Sequence, residues 1–180
     1  MYGPRTAKLG HGSRVARVKA GVFWLALFYV FSWLVNWLSY RVLKGRVLKR
    51  RVWDLNICCG TTDGGGVNAD IAVHERVPNL ILVRDVRRLP FRDKQFGSVL
   101  CSHTMEHVED PEGFYRELQR VGDDITLLTP PLWDITAALN PLDHRWLFLS
   151  LKTEHRVLPN FVKVPLSSFF HRYLGQRNLG

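Results

Sequence analysis

The sequence predicts an open, mostly parallel α/β sheet preceded by one membrane-spanning helix. Three observations carry this. Short apolar runs alternate with turns and one amphipathic helix signal between Asn79 and Val121. A glycine turn, Cys59-Gly60, follows the first branched, apolar run of the C-terminal part. Residues 20–40 (AGVFWLALFYVFSWLVNWLSY) hold no charge.

At about 1.5 Å per residue, a helix over 20–40 crosses a hydrocarbon core of roughly 30 Å. Trp33, Trp37 and Tyr40 lie toward one end, where interfacial aromatics belong. The run is too long for a cleaved signal peptide, and no small-x-small site precedes Arg41. The 180 residues carry a net charge of +9. Residues 1–51 contain eleven Lys and Arg and no acid; the remaining 14 Lys and Arg face 16 Asp and Glu. The excess therefore flanks the apolar run, and no basic groove for nucleic acid is expected. The denser cluster (Arg41, Lys44, Arg46, Lys49, Arg50, Arg51) follows the run, which puts the C-terminal domain on the cytoplasmic side. These basic residues also suit anionic lipid headgroups, so the bilayer is an expected partner. The expected organisation is a basic segment 1–19, a transmembrane helix 20–40, a basic juxtamembrane linker 41–51, and a domain 52–180. Three cysteines, two adjacent, read as free thiols in a reducing compartment.

The first strand covers Val52 to Cys58, and the second Val67 to Ile71 with Asp70 at its carboxyl end. An acid there accepts ribose hydroxyls in nucleotide-binding sheets. Nine residues between Gly60 and Asp70 leave no room for a crossover helix. Asn79 to Val83 reads as a fully covered third strand ending at Asp85. Phe96 to Cys101 is the fourth. Asp110 caps the next helix, with Pro111 at its first position and Phe114, Leu118 and Val121 on its apolar face. Asp124 to Leu128 is the fifth strand, closed by Pro130-Pro131. A short helix at Ile135–Leu139, strands at 146–151 and 161–164, and a helical tail at 167–173 complete the reading. The alternation is that of a Rossmann-like sheet, which binds ligands beyond the carboxyl ends of its strands.

Asp85 with Leu89-Pro90-Phe91-x-Asp93, Phe96, Glu106-His107-Val108 with Asp110-Pro111, and Arg116-Glu117-Leu118 with Arg120-Val121 form an ordered set. With it, roughly residues 52 to 131 resemble the class I S-adenosylmethionine-dependent methyltransferases of the small methyltransferase-domain type. The resemblance implies S-adenosylmethionine as cofactor and a cofactor site made of Asn56, Cys58, Cys59, Gly60, Asp70, Asp85, Val86, Ser102 and His103. In that frame Asn56 stands at the family's acid position and Cys58 at its first glycine, while Gly60 is kept. An alignment on Asp54 instead requires two extra residues. Gly60 and Gly64–Gly66 can let backbone approach a ligand or take positive φ, or the triple glycine is an ordinary loop. Asp85 reaches the adenine amino group, or caps a turn.

Methyl transfer works by positioning and desolvation, so no catalytic base is required. His103, Glu106, His107 and His144 are the catalytic candidates; Asp143, His144 and Arg145 either line an acceptor site or solvate a loop. The expected function is methyl transfer to a small-molecule or lipid-linked acceptor at the cytoplasmic membrane face. The alternative is a degenerate fold serving as a membrane-tethered binding module. A third pattern, His103-x-x-Glu106-His107, matches zinc peptidases. That chemistry needs both histidines on one helix, whereas Pro111 starts a new helix four residues on, so no metal is expected.

Overall fold

The computed structural model describes residues 11–140 and 142–173. The chain divides into two compact units, Met1–Val35 and Asn36–Gly180. Helix α1 spans His11–Asn36, and every side chain from Arg17 to Phe31 is exposed. Arg17–Leu48 contains a stretch long and apolar enough to cross a membrane.

The expected linker is not one. Trp37–Leu43 continue as a π-helical turn and Lys44–Leu48 as α2. Both belong to the C-terminal unit. Ser39, Lys44 and Val47 are buried there, because the sheet offers them a face that crossover helices leave bare. The last residues of the apolar run, from Asn36 to Tyr40, thus already belong to the C-terminal unit.

The main sheet is ordered β3-β2-β1-β4-β5-β7. Its strands are β1 (Trp53–Ile57), β2 (Gly65–Asp70), β3 (Leu80–Leu82), β4 (Phe96–Ser102), β5 (Gly122–Leu128) and β7 (Glu154–His155). All pairs are parallel except β5–β7. Only the β4–β5 crossover carries a helix, α3 (Pro111–Val121). Asp110 caps it by accepting from the Gly113 N–H at 2.8 Å. Its Phe114, Leu118 and Val121 are fully buried against Leu55, Ile57, Val99 and Leu127. Each large side chain so buried contributes about 1.5–3 kcal/mol. The smaller cluster of Val47, Trp53, Leu100 and Leu128 forms under α2. Leu100 and Leu128 alternate with Val99, Cys101 and Leu127, as the strand period requires.

Without a helix between β1 and β2, residues 58–64 must run back along the sheet as bare backbone. Two buried asparagines satisfy it. Asn56 Nδ2 donates to the Thr62 carbonyl at 2.9 Å and to Asn68 Oδ1 at 3.0 Å. The Gly64 N–H also donates to Asn68 Oδ1 (3.0 Å), and Asn68 Nδ2 donates to Asp63 and to the Pro78 carbonyl. The triple glycine is part of this packing. A Cβ on Gly64 would lie 2.6 Å from the Asn56 Cβ, and one on Gly66 would strike the Trp53 and Asp54 carbonyls. Gly65 and Gly66 open β2, two residues earlier than expected.

The β3–β4 connection is also helix-free and is clamped from α3. Arg120 donates to the Leu89 and Phe91 carbonyls and pairs with Asp93 at 2.7 Å. Glu117 accepts from the Leu89 N–H and from Arg120. β3 is not the covered strand expected. It is the sheet edge, with Ile81 and Leu82 exposed, since no crossover helix lies beside it. The expected strands at 146–151 and 161–164 pair instead as a separate hairpin, β6 (Trp146–Phe148) with β8 (Phe161–Lys163). The strand that does close the sheet, β7, is only two residues long. Helices α4 (Ile135–Ala138) and α5 (Ser167–Tyr173) fall where the sequence reading put them.

Asn68→Ala should lower stability by at least about 2 kcal/mol, since several buried groups lose partners at about 1–3 kcal/mol each; denaturant unfolding of the variant measures this. Hydrogen bonding from Arg120 holds the Glu117 carboxyl below its ordinary range, against burial. A lowered folded pKa stabilises above the unfolded value, about 4.3, and that stability is lost as pH falls through the folded value. Wild type should therefore lose more stability than Glu117→Gln on acidification below about pH 4.5, as thermal melts across pH would record.

Candidate functional site

The carboxyl ends of β1, β2, β3 and β4 converge on one rim of the sheet, as parallel pairing dictates. After β1 the chain turns through Cys58 (φ 51°) and Gly60 (φ 57°). Cys58 holds the left-handed conformation that a glycine adopts freely, at a cost of about 1–2 kcal/mol. Asp70 ends β2 and is 4% exposed. Its Oδ2 accepts the Gly60 N–H at 2.7 Å and its Oδ1 accepts the Ile71 N–H at 2.7 Å. Asp70 therefore fixes the glycine turn; Oδ1 also takes the Ala72 N–H at 3.5 Å, and Oδ2, with one bond, retains acceptor capacity.

Asp85 follows β3. Its Oδ1 accepts the Arg87 N–H at 2.9 Å, and Oδ2 makes no such bond. The Arg87 backbone N–H, then its guanidinium, hold the carboxyl below its ordinary range. Asp85 thus caps a turn and keeps one oxygen open. Val86 packs against the main core. Ser102 ends β4 with a buried, unpartnered hydroxyl, and His103 follows in a left-handed conformation with its Nε2 also buried and unpartnered. Tyr40 stacks on the His103 ring, centroids 4.8 Å apart, and Lys44 lies over Tyr40.

One expected cofactor position moves. Asn56 does not present its amide at the rim; it is fully buried under residues 62–64. Gly64–Gly66 sit at the amino end of β2, away from the rim. Asp54, the other alignment's acid, binds the Ser98 N–H at 2.8 Å near the amino end of β1. A cleft of about 600 Å³ lined by Lys94, Tyr115, Gln119, Asp123 and Arg156 opens at the amino ends of β4 and β5, the wrong end for cofactor.

The four catalytic candidates gather beyond β4. Residues 103–110 form turns rather than a helix, so the peptidase geometry is absent there. Glu106 is 1% exposed with both oxygens unpartnered. His103 Nδ1 stands 3.5 Å from it. Burial pushes the Glu106 carboxyl up, and His103, His107 and His144 together outweigh that and bring it below its usual value. Burial lowers the His144 imidazole. The His107 and His144 rings meet edge to face at 4.8 Å. Asp143 engages His107 through its backbone carbonyl, and the Arg145 N–H donates to the Glu106 carbonyl at 2.7 Å. From sequence Tyr40 reads as an interfacial aromatic and Lys44 as a lipid-facing cation; their place beside the rim, and the buried Asp134 that accepts from Ser39, were not foreseen. The signal for Tyr40 and Lys44 was the polar spacing Asn36, Ser39, Tyr40 and Lys44 on one helical face at the end of an apolar run; Asp134 had none.

The cofactor fit can be tested on these groups. Gly60, Asp70, Asp85 and Val86 lie at the carboxyl ends of neighbouring strands β1, β2 and β3, with acceptor oxygens of Asp70 and Asp85 available for hydroxyl or amino groups. Ser102 and His103 offer unpartnered buried polar atoms at the same rim. The methionine half lacks its acid, because Asn56 is withdrawn. The donor and acceptor set at the rim is chemically compatible with a nucleoside.

Residues 56–123 match the family model described as a methyltransferase domain. No curated protein matches the chain. Among solved structures, the PH0226 protein from Pyrococcus horikoshii is 18% identical, covering 78% of this chain and 80% of that one at a TM-score of 0.43. An S-adenosylmethionine-dependent methyltransferase from Aquifex aeolicus is 17% identical, with coverage of 53% and 68% and a TM-score of 0.37. The YcgJ protein from Bacillus subtilis is 18% identical, with coverage of 49% of each chain and a TM-score of 0.38. The chain spans about half the length of several structures it matches. The mostly parallel sheet, together with a methyltransferase-domain match over residues 56–123, gives the sheet domain a Rossmann-like fold of the methyltransferase type.

The rim thiols should be inert. Burial, then Asp70, pushes Cys59 up to about 11; burial also raises Cys58 and Cys101. Thiolate is the reactive form. Iodoacetamide at pH 7.5 should label the three cysteines slowly in native protein and fully in denaturant, read by mass spectrometry.

Proposed function

We propose that the domain binds S-adenosylmethionine at the carboxyl rim and transfers its methyl group to an acceptor at the cytoplasmic face of a membrane. The observation that carries this is the convergence of Gly60, Asp70 and Asp85 on one rim of a family-matched parallel sheet. When bound, the cofactor's sulfonium supplies an electrophilic methyl group. The chain's own residues position it: Asp70 and Asp85 accept from the ribose and adenine, and Val86 offers the ring an apolar wall. Tyr40 and Lys44 cover the rim beside His103 and restrict water. The buried cluster beyond β4 faces the acceptor side. The exposed apolar stretch of α1 supports anchoring in the bilayer, which makes small-molecule or lipid-linked acceptors accessible.

The withdrawal of Asn56 favours a second reading, a degenerate fold that binds cofactor weakly and serves as a membrane-tethered module. Calorimetry on the full chain in detergent separates the two. Wild type should bind S-adenosylmethionine. Asp85→Ala and Asp70→Ala should each weaken binding about two- to tenfold, the loss of one hydrogen bond at about 0.5–1.5 kcal/mol. No binding by wild type selects the second reading, and equal affinity in all three proteins moves the site elsewhere. Carbonate extraction of membranes should leave the protein in the pellet; its release into the supernatant rules out the anchor.

A further inference from the structure

We propose that Glu106, His107 and His144 form a binding site for one divalent transition-metal ion, zinc above all. The sequence reading expected no metal, because the H-x-x-E-H chemistry needs His103 and His107 on one helix while residues 102–110 read as a loop, with His144 and Glu154 only distant candidates for a third ligand. The fold supplies a different partner. A carboxylate oxygen of Glu106 and one ring nitrogen each of His107 and His144 lie within 4.8 Å of one another. Ligand atoms around tetrahedral zinc stand about 3.3–3.5 Å apart, given Zn–N distances of about 2.0–2.1 Å. Drawing these three together takes roughly 1 Å of side-chain movement.

The unpartnered atoms point to a ligand. Glu106 is 1% exposed and neither oxygen has a hydrogen-bond partner among the described residues. His144 is 8% exposed and its Nδ1 is likewise unpartnered. A buried anion whose nearest partner is the His103 Nδ1, 3.5 Å away and beyond good hydrogen-bond range, is costly unless something positive joins it. The surroundings are those of a metal centre. The His107 Nδ1 lies 2.8 Å from the Asp143 carbonyl, which makes it the protonated donor and leaves the Nε2 lone pair free. A carbonyl behind a histidine is the usual orienting partner of a metal ligand. The turn that carries His144 is fixed by its N–H on the Asn140 carbonyl (2.7 Å) and by Asn140 Nδ2 on Asp143 (2.7 Å). Arg145 and Trp146 N–H groups both donate to the Glu106 carbonyl, which holds that turn against the loop after β4. His107 is only half-buried, so an ion has a way in. Two histidines and a carboxylate form a donor set that binds zinc with one coordination position open.

The site does not depend on the methyl-transfer reading, and cofactor binding measured on the same samples keeps the two apart. The full chain is purified in detergent without chelators, stripped, and titrated with Co²⁺ and then Zn²⁺. Wild type should bind one Co²⁺ per chain with visible absorption of a tetrahedral site, and Zn²⁺ should displace it. His107→Ala and His144→Ala should abolish stoichiometric binding, and Glu106→Gln should weaken it at least tenfold. His103→Ala and His155→Ala should keep it. Circular dichroism identifies any variant that has unfolded. Failure of wild type to bind stoichiometric metal overturns the proposal whatever the variants do. So does retention of metal by folded His107→Ala and His144→Ala, and so does its loss in folded His103→Ala, which would return the site to the H-x-x-E-H pair.

Discussion

Buried backbone must find hydrogen-bond partners, and in this domain that constraint falls on an unusual place. A parallel pair is ordinarily joined by a helix that satisfies its own backbone. Here seven residues return from β1 to β2 with no helix. Asn56 and Asn68 stand in for it, offering side-chain amides to Thr62, Gly64 and Pro78. The glycines follow from the same geometry, since the returning strand lies too close to β1 for side chains. The cofactor rim follows too. With Asn56 committed inward, the turn at Gly60 is held by Asp70 and by Thr62, which donates to the Cys59 carbonyl.

The sheet's second face would otherwise lie open. The helical segment from Trp37 to Leu48 takes part of the role that crossover helices play elsewhere, burying Val47 on Trp53, Leu100 and Leu128. One stretch of chain thus ends an apolar helix and covers the domain's core. Tyr40 and Lys44 are carried by the same turn to the His103 side of the rim. The peripheral clamp of Arg120 and Glu117 has a similar logic. It explains physically why Leu89-Pro90-Phe91-x-Asp93 and Glu117-x-x-Arg120 occur together: they are the two halves of one hydrogen-bonded joint.

Much of this was legible in the sequence. The five parallel strands, the Asp110 cap, α3 and the missing first crossover helix follow from periodicity and spacing. So do Asp70 and Asp85 at the rim. What escaped has definite causes. β3 reads as covered because its residues are apolar, but coverage depends on helices the loops are too short to form. Asn56 was read as a ligand position because it aligns with one; its real partner, Asn68, lies twelve residues away and has no one-dimensional signature. β7 is two residues long, below any periodic signal. His144 was a candidate, yet only the fold brings it beside His107 and Glu106.

The sheet's two borders carry one more consequence. A sheet with so few covering helices presents main-chain donors and acceptors at both sides, and a long open border recruits strands from other molecules. β3 has three residues and β7 two. Pro78 and the left-handed Asn79 precede β3, and Arg84 follows it. Neither border is long enough to template more than a hydrogen bond or two. Copies of this domain brought border to border would find little to zip together.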